Sequence, residues 1–156
     1  MKYSLDWTSF SSWQQKRLST TLELARQVFR YYRPTLPFSR NVSFVNYSDD
    51  EGWPPSMKRH SATYWRSQNS DFGAIFLNAE TFASIAIRLD RRFPPRMSLR
   101  RYVVETMKHE LAHANLNEQK VSHGAKWQNE LRRLLKDGKF CRFSQAEIDE
   151  ALKRSD

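Results

Sequence analysis

His109-Glu110-Leu111-Ala112-His113 sets two imidazoles four residues apart, with a carboxylate next to the first. On a helix, positions four apart lie one turn apart on one face, so both rings can reach a single metal ion. Imidazole nitrogens suit zinc. Glu110 sits one position on, where its carboxylate can reach a metal-bound water without being a ligand. Zinc lowers the pKa of such a water to about 7, and a neighbouring carboxylate can take its proton as it attacks a carbonyl. The chemistry expected of Glu110 is therefore general acid/base work in metal-assisted hydrolysis. With 4 His in the chain, shuffling would produce this H-E-x-x-H pattern with a chance of only roughly 0.004.

A catalytic zinc takes three protein ligands and keeps a position open. His123 follows His113 by ten residues and directly precedes Gly124, at the start of an expected helix, where the chain can turn back toward the first two rings. Glu130, on that following helix, is the competing third ligand. The pattern H-E-x-x-H-x-x-G-x-x-H is excluded, because Leu116 and Gln119 occupy its later positions. Cys141 is the chain's one cysteine, which rules out a cysteine zinc ribbon and an internal disulfide framework.

Helices and a small sheet must position these residues. Trp13 to Tyr32 lacks Gly and Pro, and Leu18, Leu22, Ala25, Val28, Phe29 and Tyr32 recur at helical spacing. Pro34 and Pro37 close that helix. Asn41 to Tyr47 reads as a strand, Asp49 to Ser56 as a Gly/Pro loop, and Ser61 to Ser67 with Ala74 to Leu77 as a hairpin turning at Gln68 to Gly73. A short helix is expected over Phe82 to Leu89. Ser98 is a plausible N-cap for the helix that carries the motif to about Asn115. On that helix Val103, Met107, Leu111 and Ala114 form one apolar stripe, with His109 and His113 on its flank beside Tyr102 and Thr106. Gly124 to Lys136 gives a further helix stopped at Asp137-Gly138, and Ser144 can cap a last one through Leu152. The expected fold class is α+β: one domain over 1–156 with its core at about 12–140, an N-terminal helix, a small antiparallel sheet and the motif helix followed by a loop and further helix.

The run His109 to Ala114, followed by His123-Gly124-Ala125-Lys126-Trp127, resembles the SprT-like metalloprotease domain, the family that includes Spartan. That family shows H-E-x-x-H and then a third ligand in H-G-x-x followed by Phe or Trp. Ile75-Phe76-Leu77-Asn78 is similar to the family's strand ending in Leu-Asn, and Thr63-Tyr64-Trp65 fits the strand before it. The likeness spans about residues 12–140. It implies a zincin-like fold, Zn2+ held by His109, His113 and His123, Glu110 as the catalytic acid/base, and cleavage of proteins bound or crosslinked to DNA. Many bacterial relatives carry a cysteine ribbon after the catalytic region that this sequence does not show, so DNA contact is expected from the catalytic domain itself.

Charge agrees with that implication independently. Lys plus Arg is 26 against 17 Asp plus Glu, a net +9, which favours a polyanionic partner, most simply nucleic acid; with the resemblance, the expected partner is DNA, single-stranded or junction-containing. Arg88, Arg91, Arg92, Arg96, Arg100 and Arg101 form one dense basic stretch, and Lys126, Arg132 and Arg133 belong to another. A protein substrate could add as a strand to an exposed sheet edge, for which Ala74, Ile75, Phe76, Leu77 and Asn78 are the candidates. Met1 to Phe10 has no signal-peptide pattern and no apolar run is long enough for a membrane, so a cytoplasmic protein without a membrane partner is expected. Two other functions fit the same residues: a nucleic-acid-binding module with a structural or inactive zinc site, and a peptidase or effector with a dedicated substrate unrelated to DNA.

Overall fold

The computed structural model describes residues 12–35, 39–45, 62–66, 72–78, 99–116 and 123–153. Helix α1 spans Ser12–Tyr32 and ends in a 3-10 turn at Arg33–Thr35, where Pro34 removes a backbone donor. Strands β1 (Ser39–Val45), β2 (Ala62–Arg66) and β3 (Phe72–Asn78) follow. Then come α2 (Leu99–Leu116), α3 (Ala125–Lys136) and α4 (Gln145–Lys153). The class is α+β. The expected short helix over Phe82 to Leu89 and the loop from Asp49 to Ser56 lie outside the described residues.

The sheet is mixed, which corrects the antiparallel expectation. Its order is β1-β3-β2. β2 and β3 pair antiparallel, Tyr64 opposite Ile75, as the hairpin reading required. β1 pairs parallel to β3, Val42 opposite Ile75. A parallel pair needs a crossover of a dozen or more residues, and here 46–71 supplies it, with β2 inside it. β3 is therefore the central strand, and Ala74 to Asn78 is not a free edge for substrate. Its sequence carried that signal: Phe72-Gly73-Ala74-Ile75-Phe76-Leu77 is a continuous apolar run without polar alternation, the mark of a strand enclosed on both sides. Ala74, Ile75 and Leu77 are indeed buried.

Helix α2 packs against α1, α3 and β2. The expected apolar stripe of Val103, Met107, Leu111 and Ala114 is fully buried. Val103, Met107 and Leu111 share one core with Ala25, Val28, Phe29 and Tyr32 of α1, Ile75 and Leu77 of β3, and Leu131, Leu134 and Leu135 of α3. Ile148, Ala151 and Leu152 of α4 close the lower side. Ser144 begins α4 with a reciprocal cap: its hydroxyl accepts from Glu147 N–H at 3.1 Å, and Glu147 Oε1 accepts from Ser144 N–H at 3.0 Å.

A buried cation ties the helices together. Lys108 is fully buried, and its ammonium donates to Leu134 O at 2.6 Å and Asp137 O at 2.9 Å. It thus caps the C-terminal carbonyls of α3, where a positive charge is favoured. Asp137 in turn accepts from the Tyr32 hydroxyl at 2.7 Å, so α1, α2 and α3 share one polar knot. Burial lowers the Lys108 pKa to about 8, and Asp137 opposes that shift. Lys108→Met keeps the packing volume but strips both carbonyls of their donor. It should cost about 2–4 kcal/mol, read as a fall of roughly 5–12 °C in Tm. An unchanged Tm would contradict the cap.

Candidate metal centre

The backbone turns two helix segments toward each other at one point. Late in α2, His109 and His113 project one turn apart. α3 packs on α2, and its N-terminus brings His123 back to them. Gly124 is the N-cap of α3, in an extended conformation with no side-chain cap, and His123 stands just before it.

The three rings form a nearly equilateral set. Centroids are 5.2 Å apart for His109–His113, 5.1 Å for His109–His123 and 5.1 Å for His113–His123. One ligand nitrogen from each lies within 4.8 Å of the others. Tetrahedral zinc with bonds of about 2.0–2.1 Å needs ligating nitrogens about 3.4 Å apart, so modest side-chain closure completes the fit. The donor chemistry also fits. Burial, then repulsion from His123, lowers the His113 pKa to about 4, so this ring is neutral near pH 7 and its lone pair is available to a metal.

No protein-family model, no curated protein and no solved structure matches this chain.

Glu110 is buried next to this set, its Oε1 3.9 Å from His109 Nε2. Burial raises its pKa to about 8, against a hydrogen bond donated by the Tyr64 backbone N–H that favours the carboxylate. Tyr64 belongs to β2, an edge of the described sheet, so a backbone N–H turned away from β3 can serve a side chain. A divalent cation among the imidazoles would pull the Glu110 pKa down again.

Trp127 is the contact that motif reading underweighted. It is 1% exposed and packs on all three imidazoles, with centroids 4.7 Å from His109, 5.3 Å from His113 and 4.3 Å from His123. Its Nε1–H points at the His109 carbonyl at 3.4 Å. The indole thus forms one wall of the site and limits ring rotation. The available signal was its spacing: four residues after His123 places it one turn into α3, on the side facing α2.

Glu130 does not join the cluster. It accepts from Asn115 at 2.7 Å and from Arg133, and the Arg133 bond is the main reason its pKa is lowered. The basic candidates separate. Arg101 is corrected: it is buried and paired with Glu147 at 2.6 Å and Glu150 at 3.7 Å, a helix-joining ion pair rather than a nucleic-acid contact. Its charge needed a partner because the core side of α2 desolvates it. Arg100, Lys126 and Arg133 are exposed and Arg132 is half-buried. Arg88, Arg91, Arg92 and Arg96 lie outside the described residues. Among the described residues, no helix is long and apolar enough to cross a membrane.

Proposed function

We propose that this chain is a zinc-dependent endopeptidase of the SprT-like kind, acting on proteins associated with or crosslinked to DNA. One observation carries the reading: three imidazoles converge within 4.8 Å while a buried carboxylate stands 3.9 Å from the first of them. The matched motif residues and the +9 charge support the family and the substrate class.

His109, His113 and His123 would hold the metal. Zinc, when bound, supplies Lewis acidity toward a water and a carbonyl oxygen. Glu110 accepts the proton of the attacking water as the new C–O bond forms, and then returns it to the amine nitrogen as the peptide C–N bond breaks. The Tyr64 N–H holds the carboxylate in place for both transfers. Trp127 keeps the three rings in register and excludes water behind them.

A closed, four-ligand structural site is the main rival. It is disfavoured because Glu130, the fourth-ligand candidate that the sequence offers, is engaged by Asn115 and Arg133. A dedicated-substrate peptidase unrelated to DNA differs in the effect of DNA. The test is zinc quantification with a casein and histone degradation assay, with and without single-stranded DNA. Expected are one zinc per chain, cleavage abolished by a chelator and restored by zinc, and histone cleavage stimulated by DNA. Purified protein without metal, or cleavage indifferent to the chelator, would sink the reading.

A further inference from the structure

Side-chain hydrogen bonds tie α2 to α3 at two heights. Lys108 holds the carbonyls at the end of α3. Asn115 stands seven residues later on α2, about 10 Å along the axis, and its Nδ2–H donates to Glu130 Oε1 at 2.7 Å. Both Asn115 and Glu130 are half-buried. Arg133, one turn on from Glu130, donates from Nε to both carboxylate oxygens at 3.2 Å, which fixes the carboxylate in its reach toward Asn115. Asn115 Oδ1 is buried and accepts no hydrogen bond among the described residues. An apolar side chain would avoid that cost, so the packing of α2 does not account for an amide here. Its bond to Glu130 does.

The N-terminal half of α3 needs such a hold. Gly124 gives it no side-chain cap, and its opening backbone bond runs from Gln128 N–H to Gly124 O at 3.0 Å. His123 stands directly before that turn. Trp127, packed on the His123 ring at 4.3 Å, and Glu130 are three residues apart and so neighbours on one side of α3. We infer that Asn115 and Glu130 are positioning residues: their hydrogen bond sets the height of α3 on α2 and keeps His123 level with His109 and His113. They act through the backbone of α3, and the ligating rings need no bond from them. The inference rests on the metal-site half of the proposed function and names what aligns the third ligand.

The test uses the full chain and two readouts, each at a temperature where every variant is folded. Zinc affinity is measured by competition with a chromophoric chelator. Amide hydrogen exchange at Gln128 is measured on metal-free protein. Asn115→Ala and Glu130→Ala should each weaken zinc about 10- to 100-fold, and the double variant should lose little more than the worse single. In metal-free Asn115→Ala, Gln128 should exchange at least about tenfold faster as the first turn of α3 opens locally. Asn115→Asp sets two carboxylates against each other and should speed the same exchange. Adding Glu130→Gln to it exchanges donor and acceptor at nearly constant shape, and should restore the exchange to within about threefold of wild type. Ile148→Ala, at a buried position in α4, should lower Tm and leave zinc affinity and Gln128 exchange unchanged. Zinc lost in Glu130→Ala but kept in Asn115→Ala would make Glu130 a ligand and overturn the inference. So would unaltered Gln128 exchange in Asn115→Ala, no recovery in the exchanged pair, or equal zinc loss in Ile148→Ala. A wild type that binds no zinc sinks the proposed function, and the exchange measurements on metal-free protein then still decide whether the pair holds the start of α3.

Discussion

Glu110→Gln should retain zinc at the wild-type ratio and fold normally, yet cleave casein at least about a thousandfold more slowly. General acid/base groups contribute about 10²–10⁴ in rate, and here one carboxylate serves both proton transfers, so the larger part of that range applies. The substitution is nearly isosteric, and its amide oxygen can still accept from the Tyr64 N–H. A thermal signature accompanies the kinetic one. In the metal-free wild type, burial raises the Glu110 pKa from 4.5 to about 8. The folded state then holds a proton that the unfolded state has lost, so stability falls as pH rises through that window. Glutamine has no proton to lose. Metal-free Glu110→Gln should therefore melt above metal-free wild type at pH 8 and lose that advantage near pH 4.5. Wild-type cleavage rates in the variant would remove Glu110 from the mechanism. A lower Tm at pH 8 would instead show that the carboxylate is not desolvated.

The site was more legible in the sequence than the sheet. His109 and His113 are fixed to one face by helical period alone, and Val103, Met107, Leu111 and Ala114 announced which side of that helix is buried. His123 could be placed because a glycine and a new helix follow it, which limits where the chain can go. Pairing direction is different. Alternation in Asn41 to Tyr47 looks the same whether the neighbour runs parallel or antiparallel, and nothing local to β1 records that β3 lies beside it. The enclosed character of β3 was written in its unbroken apolar run, but choosing it over an edge required weighing that run above its nearness to the motif. Charge was the least legible. Arg101 and Arg100 are adjacent in the basic stretch, yet a rotation of about 100° per residue turns Arg101 to Glu147 and Glu150 on α4 and leaves Arg100 exposed. Lys108 was invisible for the same reason: its acceptors are backbone carbonyls at the end of a helix 26 residues away, and carbonyls have no sequence signature.

His113→Ala should abolish both the metal and one limb of the acid stability profile. His113 is 6% exposed and is the ring stacked on Trp127. Removing one of three ligands should weaken zinc by roughly a thousandfold or more, so added zinc should no longer raise Tm at concentrations that stabilise wild type. The pH response separates loss of a ligand from general damage. In the metal-free wild type the His113 pKa is lowered from 6.5 to about 4, because burial disfavours the imidazolium and His123 adds repulsion. Between about pH 6.5 and 4 the unfolded chain carries a proton that the folded chain refuses, and stability falls as pH drops across that interval. Alanine cannot bind that proton, so the variant's stability should change less across the same interval even if its Tm at pH 7 is lower. Zinc acts in the opposite sense to the proton, since it requires the neutral ring, and zinc-loaded wild type should resist acid until protons displace the metal. A variant that keeps zinc, or one whose acid limb is as steep as that of wild type, would separate His113 from the cluster and leave two imidazoles too few to hold a catalytic ion.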